Sequence, residues 1–241
     1  MTRPPKQLLA PAELAEVRRQ LARASGRRRL ELIFGGPDPA VLIRSLPPDE
    51  LYYTVREVGL ADAAELVQFA SPAQFKVLLD LDAWRQGRFE PRRALPWIRA
   101  ARSAALDDPK AERRWARQAE ALDQELTLLL FRDALVVHDL KVDEDPDYDE
   151  DHHVLRSPEG QYLVEFLVEG AEYQAVRGLL DDLYARDAFR TARLLASLAW
   201  ELPSELEETA LRWRNGRLAD LGYPELDEAL SWYARPPARP A

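Results

Sequence analysis

Leu46-Pro47-Pro48-Asp49-Glu50-Leu51 and Leu202-Pro203-Ser204-Glu205-Leu206 open alike, with proline and acid set ahead of an apolar stripe. Proline suits the first turn of a helix. Its fixed φ is already helical, and its missing N–H would have found no partner there. Acids in the same turn favour the positive end of the helix dipole. The first stretch predicts a helix carrying Leu51, Val55 and Val58 and stopped near Gly59. The second has the spacing of a capping box between Ser204 and Glu207, followed by a core stripe of Leu206, Ala210 and Trp213.

Working outward, the same punctuation recurs. Pro11 opens a helix with Leu14, Val17 and Leu21, which Gly26 and Arg27-Arg28-Arg29 end, and Leu30 to Phe34 forms a short apolar turn. Asp38 caps a helix at Pro39 that carries Leu42, Ile43 and Leu46. Leu66, Val67 and Ala70 make another. Ser71-Pro72-Ala73-Gln74 is a capping box ahead of Phe75, Leu78 and Leu79, with Asp80 to Trp84 closing the unit. Asp108-Pro109 begins one long helix through Trp115, Ala119, Leu122, Leu126 and Leu129.

After residue 132 the period changes. Leu135 to Leu140 is short and β-branched, and Tyr162, Val164, Phe166 and Val168 alternate onto one face. Ser157-Pro158-Glu159-Gly160 fits a type I turn. Helices then resume, one with Val176, Leu179, Leu180 and Leu183. The next starts near Asp187 with Ala192, Leu195 and Leu198. Gly222-Tyr223-Pro224 breaks the chain before Leu226, Leu230 and Tyr233.

The expected fold is mainly α: short stacked helices, solenoid-like or an irregular bundle, with a small antiparallel β-hairpin inserted around 134–168 and an acidic loop projecting from it. The expected divisions are a basic arm 1–27, a helical lobe 28–132, the β-hairpin 133–170, a second lobe 171–234 and a disordered tail 235–241.

The 241 residues, 46% hydrophobic and 31% charged, have the balance of a globular chain. With no cysteine, thiolate metal sites, thiol nucleophiles and disulfides are excluded. No apolar run reaches the roughly 20 residues of a membrane span. Met1-Thr2-Arg3-Pro4-Pro5-Lys6 leads into no signal-peptide core, so the expected location is the cytoplasm. The net charge is −9, which opposes a general affinity for nucleic acid. Basic residues gather in 1–30 and 85–118, whereas Asp143 to Asp151 holds seven acids in nine positions. Such segregated charge is expected to pair within the chain, and it could also steer a charged partner.

That acidic run is the most chemical-looking segment. Asp143, Asp145, Asp147, Asp149, Asp151, His152 and His153 are candidate ligands for a divalent cation. As an EF-hand loop the run fails, because it lacks the central glycine and has Val154 where a bidentate glutamate belongs. A solvated loop is the commoner fate of a charge run. His138-Asp139 is a two-residue likeness to a phosphohydrolase metal pair, but its strand-like setting predicts a half-buried, hydrogen-bonded histidine. Trp84-Arg85-Gln86-Gly87-Arg88, Trp97-Ile98-Arg99 and Arg212-Trp213-Arg214 mix arginine with tryptophan, as single-strand binders do. Trp97 and Trp213, however, read as core. No phosphate loop, nucleophile elbow or zinc-protease helix occurs, so neither an enzyme nor a cofactor is expected.

The segment from Asp38 to Trp84, with Leu46-Pro47-Pro48-Asp49-Glu50-Leu51, Glu65-Leu66-Val67 and Leu78-Leu79-Asp80-Leu81-Asp82, resembles the N-terminal superhelical domain of MgtE-type magnesium transporters. That likeness covers about a fifth of the chain and implies a cytoplasmic helical stack, with no functional residue matched. Trp200 to Glu208 and Arg217 to Gly222 resemble an uncharacterised family of bacterial helical proteins. Most of those are longer, which implies a shortened version here. The function expected from all this is a protein-interaction or scaffolding module with an unidentified protein partner. The alternatives are a cation-responsive regulatory module using 143–153 and a nucleic-acid-binding module using the basic stretches.

Overall fold

The computed structural model describes residues 11–200 and 203–234. The expected tail 235–241, the first ten residues of the basic arm and the side chain of Ser204 lie outside the described residues. Mainly α architecture is what the chain adopts. The helices are α1 Pro11–Arg23, α2 Gly26–Phe34, α3 Pro39–Ser45, α4 Pro48–Val58, α5 Ala64–Phe69, α6 Pro72–Asp82, α7 Pro91–Arg102, α8 Pro109–Glu120, α9 Gln124–Arg132, α10 Gly170–Arg186, α11 Ala188–Trp200, α12 Pro203–Asp220 and α13 Leu226–Ala234. Strands β1 Trp84–Arg85 and β2 Arg88–Phe89 form one hairpin. Strands β3 Leu135–Asp139, β4 His153–Arg156 and β5 Tyr162–Phe166 form a second sheet.

The proline starts hold. α3, α4, α6, α7, α8 and α12 each have proline in the opening turn. Ser71 Oγ accepts from the Gln74 N–H at 3.2 Å while Gln74 Oε1 accepts from the Ser71 N–H at 2.8 Å, closing the expected box. The helices are short, so many C-terminal carbonyls lack intrahelical partners. Three buried glutamines from elsewhere in the chain supply them. Gln74 Nε2 donates to Ile43 O and Leu46 O at the end of α3, both at 2.8 Å. Gln118 Nε2 donates to Val67 O and Ala70 O at the end of α5, at 2.8 and 2.9 Å. Gln68 Nε2 donates to Ala100 O and Ser103 Oγ at the end of α7.

One connected cluster of buried side chains runs from Leu21 to Ala210, centred on Phe75, Trp97, Trp115, Phe131 and Phe166. Carboxylates, one buried and one half-buried, pin helices around it. Asp82 accepts from Tyr52, Arg93 and the Trp97 indole, each at 3.0 Å. Asp182 accepts from Arg102 at 2.6 and 3.2 Å and from the Trp115 indole at 2.6 Å.

Five expectations need correction. Gly26 opens α2, and Leu30 to Phe34 completes that helix. The long helix from Pro109 is two, α8 and α9, because Asp123 turns extended (φ −63, ψ 145) as the N-cap of α9. Its carboxylate is held there by Lys76 at 3.1 Å and Arg217 at 2.6 Å. Behind Trp84 lies the unforeseen β1–β2 hairpin, with Trp84 opposite Phe89 and positive φ at Gln86 (49) and Gly87 (78). That left-handed pair of residues marks a type I′ turn. Trp213 is 56% exposed rather than core. Finally, α12 begins at Pro203, which places Ser204 inside the helix, and Glu207 Oε1 accepts instead from the Phe89 N–H at 3.0 Å.

Candidate functional site

The second sheet has the order β3-β5-β4, with both outer strands antiparallel to β5. β3 and β4 therefore run parallel, and residues 140–152 must carry the chain from one end of β5 back to the other. The acidic segment is thus a crossover, not the projecting hairpin loop expected from sequence. Tyr162, Val164 and Phe166 face the core, as their alternation requires. Glu165 points to the opposite face, between Val136 and Val154.

Glu165 is nevertheless only 6% exposed, because the crossover folds over it. His152 Nδ1 lies 2.6 Å from Glu165 Oε1, and the Asp149 N–H donates to the same oxygen at 3.2 Å. His138 Nε2, from β3, lies 3.2 Å from Oε2. Burial pushes the Glu165 carboxyl up, but the bonds from His152, the Asp149 N–H and His138 outweigh it and hold the group below its ordinary value. The hydrogen bond to Glu165 raises His152, with Asp149 and Glu169 adding to it. Two of these contacts, from His152 and the Asp149 N–H, clasp the crossover to the sheet, and His138 steadies the carboxylate from β3. Glu165 carried no motif, and its odd polar place in an otherwise apolar strand was the only sequence signal available.

The cation candidates are placed separately. Asp143 Oδ1 accepts from the Asp145 N–H and Asp149 Oδ1 from the Asp151 N–H, at 3.2 and 3.0 Å, so these carboxylates shape local turns. Asp147 is exposed, and His153 stacks on Tyr173 at 4.2 Å on the inner face. Among the described residues, no group of three or more His, Asp or Glu is placed to hold a metal ion. Among the described residues the acidic run makes no ion pair with a lysine or arginine side chain. Trp84 and Trp97 are buried and unavailable for stacking on bases, while Arg85 and Arg88 stand exposed at the hairpin tip.

The largest departure from a well-covered surface lies in the C-terminal helices. Phe189 is 76% exposed, Trp200 70% and Trp232 60%, and Leu230 and Trp213 are likewise open. On α11, Phe189, Ala192, Arg193, Ala196 and Trp200 recur at three and four, one outward stripe. Part of that stripe, with Pro158, Glu159, Gln161 and Tyr162 of the β4–β5 hairpin, lines a groove of about 540 Å³. By contrast, α12 is held on its inner side by polar contacts, through Arg214, Arg217 and Glu207.

No helix among the described residues is long and apolar enough to cross a membrane. Neither the curated proteins nor the solved structures contain a match to this chain. The MgtE-type likeness of 38–84 thus has no counterpart among these findings. One family profile does match, described as a family of unknown function, and it covers residues 6–240. With nearly its whole length matched, the chain belongs to the family of unknown function DUF6178.

Proposed function

We propose that this chain is a protein-interaction module whose contact surface is formed by α11, α13 and the groove beside the β4–β5 hairpin. The observation that carries the reading is the concentration of open apolar side chains there, with Phe189 and Trp200 on one stripe of α11. Large apolar side chains left in water cost free energy that a partner would recover, and aromatic residues are the usual anchors of interfaces. The cation-responsive alternative has less support, since the acidic carboxylates turn to their own backbone. The nucleic-acid alternative loses Trp84 and Trp97 to the core.

The test is photo-crosslinking from single positions in the native cell. A crosslinker at Phe189 or Trp200 is expected to give discrete adducts with protein, whereas one at the exposed Arg113 of α8 gives none. Equal labelling at all three positions, or none on α11, removes the support for this surface.

A further inference from the structure

A cavity of about 250 Å³ opens where the end of α4 and the turn after it meet the end of α6 and the first two turns of α7. Val55, Leu60, Pro96 and Trp97 give it an apolar wall, and Arg56, Arg93 and Asp82 are the charged groups that line it. Pro96 stands inside α7, where it removes one backbone hydrogen bond of the helix. The polar side is short of a carboxylate. Asp82 is the one acid on the lining, and four donors converge on it. Tyr52 and Arg93 reach Oδ1 and the Trp97 indole reaches Oδ2, each at 3.0 Å, while Arg56 Nη1 stays at 3.5 Å from Oδ1. Arg93 is held further by the Asp82 carbonyl at 2.6 Å. Glu90 also approaches Arg93, at 3.7 Å, but it lines a separate cavity with Phe89, Leu95 and Glu172. Arg56 makes no other ion pair or hydrogen bond among the described residues, and its side chain is 55% exposed. The cavity thus sets two guanidiniums against one carboxylate that three other groups already engage.

We propose that this cavity binds a small monocarboxylate with an apolar body, its carboxylate on Arg56 and its body against Leu60, Pro96 and Trp97. Each part of the assignment has its own ground. The surplus guanidinium calls for one negative charge, and the planar fork of arginine matches a carboxylate. Asp82, 3.5 Å from Arg56, would repel the second charge of a phosphate monoester. The volume lies below the roughly 300 Å³ at which sites for drug-sized ligands begin, so the occupant is small. An anion without an apolar body would leave Leu60, Pro96 and Trp97 facing water. The site shares no residue with the contact surface proposed above and stands independently of it.

Proton–nitrogen NMR titration of the full chain with benzoate, isovalerate and phenyl phosphate tests it, with the fold of each variant checked by circular dichroism. Benzoate is expected to bind with a Kd of about 0.1–1 mM, the range open to so small a ligand. It should shift the amides of Gly59 and Leu60 and the Trp97 indole N–H. Isovalerate should shift the same signals, and phenyl phosphate should bind no better than benzoate. Arg56→Gln should weaken benzoate by about tenfold. Arg56→Lys, which keeps the charge but not the fork, should retain part of the affinity, and Arg113→Gln on α8 should change nothing. No saturable shift from either carboxylate up to about 20 mM overturns the proposal. Binding indifferent to both Arg56 variants overturns it as well. Tighter binding of phenyl phosphate overturns the assignment to a monocarboxylate.

Discussion

Arg217 on α12 grips Asp80 on α6 with two hydrogen bonds, at 2.6 and 3.0 Å, across 137 residues of sequence. Asp80 has no exposed surface, and the same guanidinium reaches Asp123 at 2.6 Å. Burial pushes the Asp80 carboxyl up against the pull of Arg217 and Arg214. Burial also pulls Arg217 down, but its bonds to Asp80 and Asp123 outweigh this and raise it. Such a pair fixes where α12 sits more than it adds net stability, yet removing one member strands a buried charge. Arg217→Met should therefore cost about 3–5 kcal/mol in urea unfolding. Arg217→Met combined with Asp80→Asn should cost clearly less than the two single changes summed. Additive losses would mean that the two side chains act independently.

The Glu165 clasp makes the crossover pH-dependent, and the two partners titrate in opposite senses. His152 lies above its ordinary 6.5, so its contribution is complete below that pH and fades as pH rises through the raised value. Glu165 lies below its ordinary 4.5, so its contribution is complete above that pH and fades as pH falls through the lowered value. Amide exchange at Asp149 and Asp151 should accordingly be slowest between these limits, after correction for intrinsic rates. Glu165→Gln should return His152 toward 6.5 in a proton NMR titration. It should also lower the opening free energy of these amides by about 1–3 kcal/mol. An unchanged His152 titration in that variant would show that the clasp does not exist in solution.

Gly178 in α10 reverses a familiar rule. An alanine in place of a helical glycine usually gains about 1 kcal/mol. Here a Cβ would come within 2.5 Å of Arg102 Nη1, and that guanidinium is not free to swing away because it is bonded to Asp182. Gly178→Ala should cost about 1–3 kcal/mol in thermal unfolding. In an Arg102→Ala background the same change should turn neutral or stabilising. Stabilisation in the wild-type background would show that Arg102 yields easily.

Gln74→Ala removes the acceptor of the capping box, takes the side-chain donor from Leu46 O in a dry setting, and leaves Ile43 O with the Leu46 N–H alone. The expected loss is about 2–4 kcal/mol, larger than an exposed cap alone would give. Gln74→Glu tests the donor half separately: it keeps the acceptor but turns a carboxylate toward two carbonyls. It should be at least as harmful at neutral pH and recover partly in acid, measured by denaturant midpoints.

Helix starts were the legible part of this fold. Asp38-Pro39, Pro47-Pro48 and Ser71-Pro72-Ala73-Gln74 are local chemistry, complete within four residues, and they sit where their sequence places them. The break at Asp123 was invisible because its cause lies in Lys76 and Arg217, far away in the chain. The apolar period runs straight through that break and reads as one helix. Trp213 misled for a related reason: Leu206, Ala210 and Leu218 do mark the buried side of α12, but Arg214 and Arg217 complete that side through Asp80 and leave Trp213 at its open edge. At the crossover the sequence displayed the acids and the histidines. It did not display Glu165, the residue that decides where they go, because strand order is not a property of any short segment. The open stripe on α11 was equally hidden, since Phe189, Ala192 and Ala196 spell an ordinary core pattern.

The glutamine ties also bear on how the chain assembles as it leaves the ribosome. The end of α3 is closed by Gln74, 31 residues after Ile43, and the end of α5 by Gln118, 51 residues after Val67. Each end has a cap bond of its own, from the Leu46 N–H to Ile43 O and from the Ala70 N–H to Val67 O, but the glutamine donor comes from outside the segment. Each waits for a later stretch to emerge, so the amino-terminal helices stay open at one end during elongation. At these two ends maturation is a delayed closure, whereas the end of α7 finds its glutamine, Gln68, already made.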